Sequence, residues 1–247
     1  MNDLLKGAGY LLEGTRLIRA PRIRRFVLVP LALNILVFGS LIFFAYEWFQ
    51  SFMARILGAL PGWLAWLEYL LWPLFAVSVL LVLFYGFTLI ANLIAAPFNG
   101  LLAEAVEKHL ADAEMEDGSW KKILKEIVPA LLGELRKLLY FVVRAIPLAL
   151  LFVIPVINIA APVLWGLFSA WMLAIEYADY PMGNHGLFFP QQRQRLRTRR
   201  FLTLGFGGMA MLLTMIPVLN FVAMPAAVAG ATAMWVREFR RTVESGE

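Results

Sequence analysis

Residues 154–159 read Ile-Pro-Val-Ile-Asn-Ile, and residues 216–221, 62 positions later, read Ile-Pro-Val-Leu-Asn-Phe. Each motif sits in the middle of a stretch with no Asp, Glu, Lys or Arg: Ala145–Ile175, 31 residues, and Phe201–Val236, 36 residues. A second proline follows each one, Pro162 and Pro225. Proline cannot continue a helix without losing a hydrogen bond and clashing with the preceding turn, and Pro-x-x-Asn suits a turn. Each stretch therefore reads as a helix, a proline-bounded tip and a second helix. The arms are short: Phe201–Ile216 spans about 24 Å at ~1.5 Å per residue, against an apolar bilayer core of about 30 Å. Two readings fit. The stretches are hairpins that enter the membrane and turn back, with tips buried in protein or lining a cavity, or they are pairs of short, tilted transmembrane helices.

Outward from these motifs the chain stays apolar. Hydrophobic residues make up 61% of its 247 positions and charged residues 16%, against roughly 45–50% and about 25% in soluble domains. The mean hydropathy is +0.74. A soluble domain of this length could not hide so much apolar surface, so the solvent is lipid. Phe26–Tyr46, 21 uncharged residues, matches one crossing at about 20 residues. Tyr69–Ala103, 35 residues with Pro73 and Pro97 near its ends, holds a second.

At the N-terminus, Leu4, Ala8, Leu11, Thr15 and Ile18 recur at helical spacing among Lys6, Glu13, Arg16 and Arg19. That pattern suits an amphipathic interfacial helix or a short helix packed on the rest of the protein, and it is unlike a cleavable signal. Basic residues set the topology. Residues 1–25 carry six, 104–144 seven, 176–200 five and 237–247 three, while 47–68 carry only Arg55. Twenty-one of 22 share one side, the cytoplasm by the positive-inside rule, if an even number of crossings separates the basic segments. The formal charge of +5 thus reads as topology and not as a nucleic-acid surface.

Enzyme chemistry is not visible. There is no Cys, and the two histidines, His109 and His185, lack metal-ligand spacing. Neither a nucleophile elbow nor a Walker A loop occurs, so no catalytic residue, metal or cofactor is expected, and no ATPase activity of its own. Four places could carry function. Pro21-Arg22-Ile23-Arg24-Arg25-Phe26 opens the first span, where helix-terminal N–H groups and guanidinium donors suit an oxyanion. A topology-setting cluster gripping lipid headgroups fits the same residues. Asn99-Gly100 suits a helix break and restart, and Glu104 and Lys108, four apart, can pair on one face, either at a pore mouth or as a solvated surface. Arg144 can snorkel to the interface from the base of the first hairpin. The run Arg193, Arg195, Arg197, Arg199 and Arg200 fits topology, anionic lipid or anion guidance.

The chain resembles the CysZ family of bacterial sulfate permeases over nearly its whole length. The stretches that carry the resemblance are Pro21–Phe26, Ile94-Ala95-Ala96-Pro97-Phe98-Asn99-Gly100-Leu101-Leu102-Ala103-Glu104, Ala161–Trp165, Phe168–Ile175 and Gly230–Trp235. The resemblance implies an all-α integral membrane protein with two long transmembrane helices, two proline-tipped, half-penetrating helical hairpins and an N-terminal amphipathic helix, assembled as a homo-oligomer. It implies sulfate uptake across the inner membrane for cysteine biosynthesis. The family's Gly-Leu-Arg (or Gly-Ile-Arg) sulfate motif falls here on Arg22-Ile23-Arg24, followed by Arg25, with Arg22 in place of the glycine. Gly183 stands where the family often has Asp before Asn184-His185, a pair to which no role is attached.

The chain is then expected to be one membrane domain over residues 1–247. Its parts are an interfacial helix (1–25), a first span (26–49), a second span (69–103), a charged cytoplasmic segment (104–144), a first hairpin (138–178) and a second hairpin (201–239). Sulfate is expected at Arg22, Ile23, Arg24 and Arg25, and Asn99, Glu104 and Lys108 along a pore. Sulfate and membrane lipid are the expected partners, and nucleic acid is not one. The rival from another class is a non-transporting membrane scaffold whose basic clusters hold lipid and partner proteins.

Overall fold

The computed structural model describes residues 2–59, 61–62, 66–111 and 120–240, all in helices and their connecting turns. Two compact units emerge, one formed by Phe26–Phe98 and the other by Met1–Arg25 with Asn99–Glu247. Among the described residues two helices are long and apolar enough to cross a membrane, Arg25–Ile56 and Ile157–Asn184; Tyr69–Leu81 and Arg200–Thr214 are shorter apolar helices.

The Phe26–Phe98 unit comprises most of α2 (Arg25–Ala59) and the first part of α3 (Leu67–Ala111). Aromatic side chains join the two. Phe49 stacks on Phe75 with ring centres 3.9 Å apart at 7°, and Trp72 meets Phe49 edge-on at 4.9 Å. Such pairs add about 0.5–1.5 kcal/mol beyond buried area. This knot lies at the end of the expected first span, and α2 continues past it to Ala59, carrying Arg55. Farther back, Leu28, Ile35, Leu36, Phe43 and Phe44 are exposed, an apolar surface that suits lipid.

In the other unit, α1 (Asn2–Leu17) packs on α7 (Arg200–Thr214) and α8 (Pro217–Met234). α5 (Ala161–Asn184) also packs on both, while α4 (Trp120–Leu150) and α6 (Phe189–Thr198) lie against α5 and each other. The buried stripe of α1 is Gly7, Tyr10, Leu11 and Gly14, so its packing face is built partly from glycine. Leu4, Leu5 and Leu12 remain exposed. At the α1–α8 crossing, a Cβ on Gly14 would collide with the Ala226 carbonyl and come within 2.7 Å of the Gly230 nitrogen. The backbones touch because nothing larger intervenes, the device that packs helices where lipid removes the hydrophobic drive. Around this crossing α8 carries buried Ala223, Ala226, Ala227, Ala229, Ala231 and Ala233, since α5 and α7 pack on it as well as α1.

The first Pro-x-x-Asn segment, Pro155–Asn158, lies in a turn as expected, whereas the second, Pro217–Asn220, is the first turn of α8 and the chain turns just before it. Between α4 and α5, residues 151–156 form turns and Ile157–Ile159 a 3₁₀ turn, and a proline occupies the first turn of α5. Val156 there has φ 71°, a positive φ that is strained for a β-branched residue. Pro217 starts α8 after Ile216 in extended backbone.

Other expectations need correction. Pro225 lies inside α8, as Pro147 lies inside α4, so Pro217 alone bounds the second tip. α8 continues through Pro225 because its buried alanine face spans that position. Likewise α3 does not break at Asn99-Gly100; it runs unbroken to Ala111, and the Asn184 side chain donates to the Gly100 carbonyl at 3.0 Å. The charged residues after 120 and the first arm of the α4–α5 pair form one helix, α4. The side chains of Asn92–Pro97 and of Pro217–Phe221 lie outside the described residues.

Candidate functional site

The arginine-rich stretch is a turn that leads into α2, whose first helical residue is Arg25. The amides of Ile23 and Arg24 both donate to the Ala20 carbonyl at 2.9 Å. Those two donors, which the sequence would aim at an oxyanion, are therefore used within the turn. Ile23 is fully buried and acts as the plug that holds the turn, while Arg22, Arg24 and Arg25 are exposed. What the turn offers an anion is a set of guanidinium groups on a fixed backbone. Each has planar, paired donors and a permanent charge.

The second site is the C-terminal part of α3. Its inward stripe is Asn99, Leu102, Ala103, Val106 and Glu107, all buried, at the i, i+3, i+4, i+7, i+8 spacing of one helix face. Asn99 Nδ2 approaches the Tyr180 hydroxyl at 3.4 Å and Met224 Sδ at 3.7 Å. Eight residues on, the fully buried Glu107 carboxylate meets His185 Nε2 at 2.9 and 3.0 Å and Arg240 Nη1 at 3.1 Å. The Trp235 ring lies 5.5 Å from the His185 ring. A buried carboxylate is costly unless paired and hydrogen-bonded, and here it has both. Glu104 and Lys108 form the expected pair at 2.8 Å, but on the outer, partly exposed side of the helix. The three expected pore residues are thus divided. Asn99 shares the buried face with Glu107, and the Glu104–Lys108 pair does not.

Two further charge clusters tie the helices together. Glu238, in the π-helical turn Trp235–Phe239, receives Tyr10, Arg199 and, at 2.6 Å, Lys6. Arg199 also holds Asp3 at 2.6 Å, and Arg237 grips Glu13 through both oxygens at 2.6 and 2.7 Å. Burial, and then the bond to Glu238, push the Tyr10 hydroxyl well above its ordinary range. On α4, Lys137 meets Glu134 at 2.8 Å, Glu176 at 2.9 Å and Asp179 at 3.4 Å. Burial opposes its charge, but Asp179, Glu176 and Glu134 outweigh it and hold the ammonium above its usual range. Arg199, one of the basic run, is therefore a structural clamp.

A family profile described as "Sulfate transporter CysZ/Etoposide-induced protein 2.4" matches residues 10–225. The chain belongs to this family. It is 45% identical over 240 residues to a protein named sulfate transporter CysZ from Vibrio parahaemolyticus, with 97% of each chain covered. A sulfate transporter CysZ from Pseudomonas fluorescens is 48% identical over 236 residues, covering 95% of this chain and 94% of the relative. Another, from Pectobacterium atrosepticum, is 46% identical over 235 residues, covering 95% and 86%. As a member of a transporter family with long, exposed apolar helices, the chain is a membrane protein.

Reasoning from the sequence missed Glu107, His185, Arg240, Asn184 and Tyr180 as a connected set. One signal was present: Glu107 lies on the apolar stripe Leu102–Ala103–Val106, whereas Glu104 and Lys108 lie off it. A carboxylate on an inward stripe demands a cationic partner from elsewhere in the chain. Which cation answers it is not a local property.

Proposed function

We propose that this chain is a sulfate permease that takes sulfate across the bacterial inner membrane for cysteine biosynthesis, channel-like or ion-coupled and without an ATPase of its own. One observation carries the reading: the chain is similar from end to end to proteins named sulfate transporter CysZ, at 45–48% identity. Sulfate is gathered by the guanidinium groups of Arg24 and Arg25, with Arg22 beside them and Ile23 as the buried anchor. Exposed guanidinium groups suit a permeant ion better than a dry cage, because binding must stay weak enough for release. Asn99, with Glu104 and Lys108 at the rim, lines the onward path.

In this reading the protein is multi-pass and homo-oligomeric. The α4–α5 and α7–α8 pairs are the two hairpins that enter the membrane and return, and α1 lies at the interface. The extent of exposed apolar surface on α2, α4 and α5 supports both lipid and subunit contacts. Liposomes containing only this protein test the function. Sulfate influx above that of empty liposomes is expected, and its absence would favour the lipid- and partner-holding scaffold.

A further inference from the structure

A second basic cluster lies away from the arginine turn. The Arg144 guanidinium sits 3.9 Å above the Tyr140 ring, and Arg193, reaching across from α6, lies 5.1 Å from the same ring centre and 5.9 Å from that of Phe189. Tyr140 and Phe189 pack edge to face at 5.4 Å. Among the described residues neither arginine is paired with a carboxylate, whereas Arg199, Arg237, Arg240 and Lys137 each hold at least one. Arg193 Nε is shielded from solvent and has no acceptor. The aromatic faces attract both cations. They do not satisfy in-plane N–H donors. An oxyanion supplies the missing acceptor, because its oxygens accept from the planar fork of a guanidinium group.

The surroundings select the kind of oxyanion. Arg144 is bracketed on α4 by exposed Phe141, Val142, Val143 and Ile146. Tyrosine and a snorkelling arginine set amid an exposed apolar helix surface suit the level of lipid headgroups. A soluble anion has no use for that apolar collar, and acyl chains do. We infer that Tyr140, Arg144 and Arg193 form a binding site for the phosphodiester of an acidic phospholipid. The inference rests on the membrane placement of the chain and not on sulfate permeation.

The test uses the full-length protein purified in detergent. Its thermal unfolding and the lipid it retains are measured with phosphatidylglycerol, with phosphatidylcholine and, separately, with inorganic sulfate. Phosphatidylglycerol is expected to stabilise the wild type beyond phosphatidylcholine. The pair Arg144→Gln/Arg193→Gln should lose that increment and bind phosphatidylglycerol about tenfold more weakly, while unfolding as the wild type does in phosphatidylcholine. Equal stabilisation of wild type and variant by phosphatidylglycerol would overturn the site. So would an arginine-dependent increment from inorganic sulfate alone, which would assign the cluster to a soluble anion. If the double variant does not fold, Arg144→Gln alone decides, because that side chain is exposed. Sulfate flux is not read in this experiment, so failure of the permease reading leaves it intact.

Discussion

Glu107 of α3 and His185 at the C-terminal cap of α5 are joined through both carboxylate oxygens, with His185 Nε2 2.9 Å from one and 3.0 Å from the other. Glu107 is fully buried, and Arg240 supplies a cation to it at 3.1 Å. Glu107→Ala removes a charge that two partners surround and should cost about 3 kcal/mol. His185→Ala leaves the carboxylate to Arg240 alone and should cost about 1–2 kcal/mol. Because the two share one interaction, the double variant should lose less than the sum. Thermal unfolding in detergent reads all three, and strict additivity would show that the residues are not energetically coupled.

The arginine turn makes a separable prediction. Arg24 and Arg25 are exposed, so replacing them with Ala should leave the melting temperature within a few degrees. Sulfate affinity of the purified protein should fall by at least about tenfold for each residue, or ~1.4 kcal/mol. Arg24→Lys should keep part of the affinity, since charge survives while the planar fork does not. Unchanged sulfate binding in the double alanine variant would remove this turn from the transport path.

Two glycines of α1 should respond in opposite directions. Gly14→Ala forces a methyl group into the α8 backbone and should destabilise by about 3 kcal/mol as the helices separate. Gly9 has nothing within 4 Å of its would-be Cβ, so Gly9→Ala should stabilise by about 0.5–1 kcal/mol through helix propensity. Melting curves of the two single variants check the crossing. Equal effects would mean that α1 does not pack this way.

The pH dependence of stability follows from Tyr10 and Lys137. Both keep in the folded state a proton that the unfolded chain releases near pH ~10, because both are held above their ordinary ranges. Their stabilisation is complete below that pH and is lost as pH rises through the higher folded-state values. Unfolding temperature should therefore be flat from about pH 7 to about pH 9 with respect to these groups and fall in stronger base. Tyr10→Phe and Lys137→Met should each flatten that alkaline fall. A fall of undiminished steepness in both variants would assign it to other groups.

Much of the architecture was legible in short windows. The turn after α4 and the start of α8 could be read from Pro155, Pro162 and Pro217, because a missing N–H and a fixed φ act locally. The Glu104–Lys108 pair follows from i,i+4 spacing alone. Pro225 and Gly100 misled for one reason. Each carries a local helix-breaking tendency that packing overrides, with α8 buried on both sides of Pro225 and Gly100 held by Asn184. The packing face of α1 was missed because Gly7 and Gly14 contribute closeness and not hydrophobicity, so apolar periodicity does not register them.

By itself, then, the sequence determined the solvent, the helical class and the turn that precedes α5, since composition and proline act within a few residues. The tertiary structure decided which polar groups face inward and what satisfies them. Glu107 finds His185, Tyr10 finds Glu238, and Arg144 and Arg193 converge on Tyr140. A buried charge or an uncompensated guanidinium states a requirement in the sequence. Residues far away in the chain answer it, and only packed helices bring them within hydrogen-bonding or stacking distance.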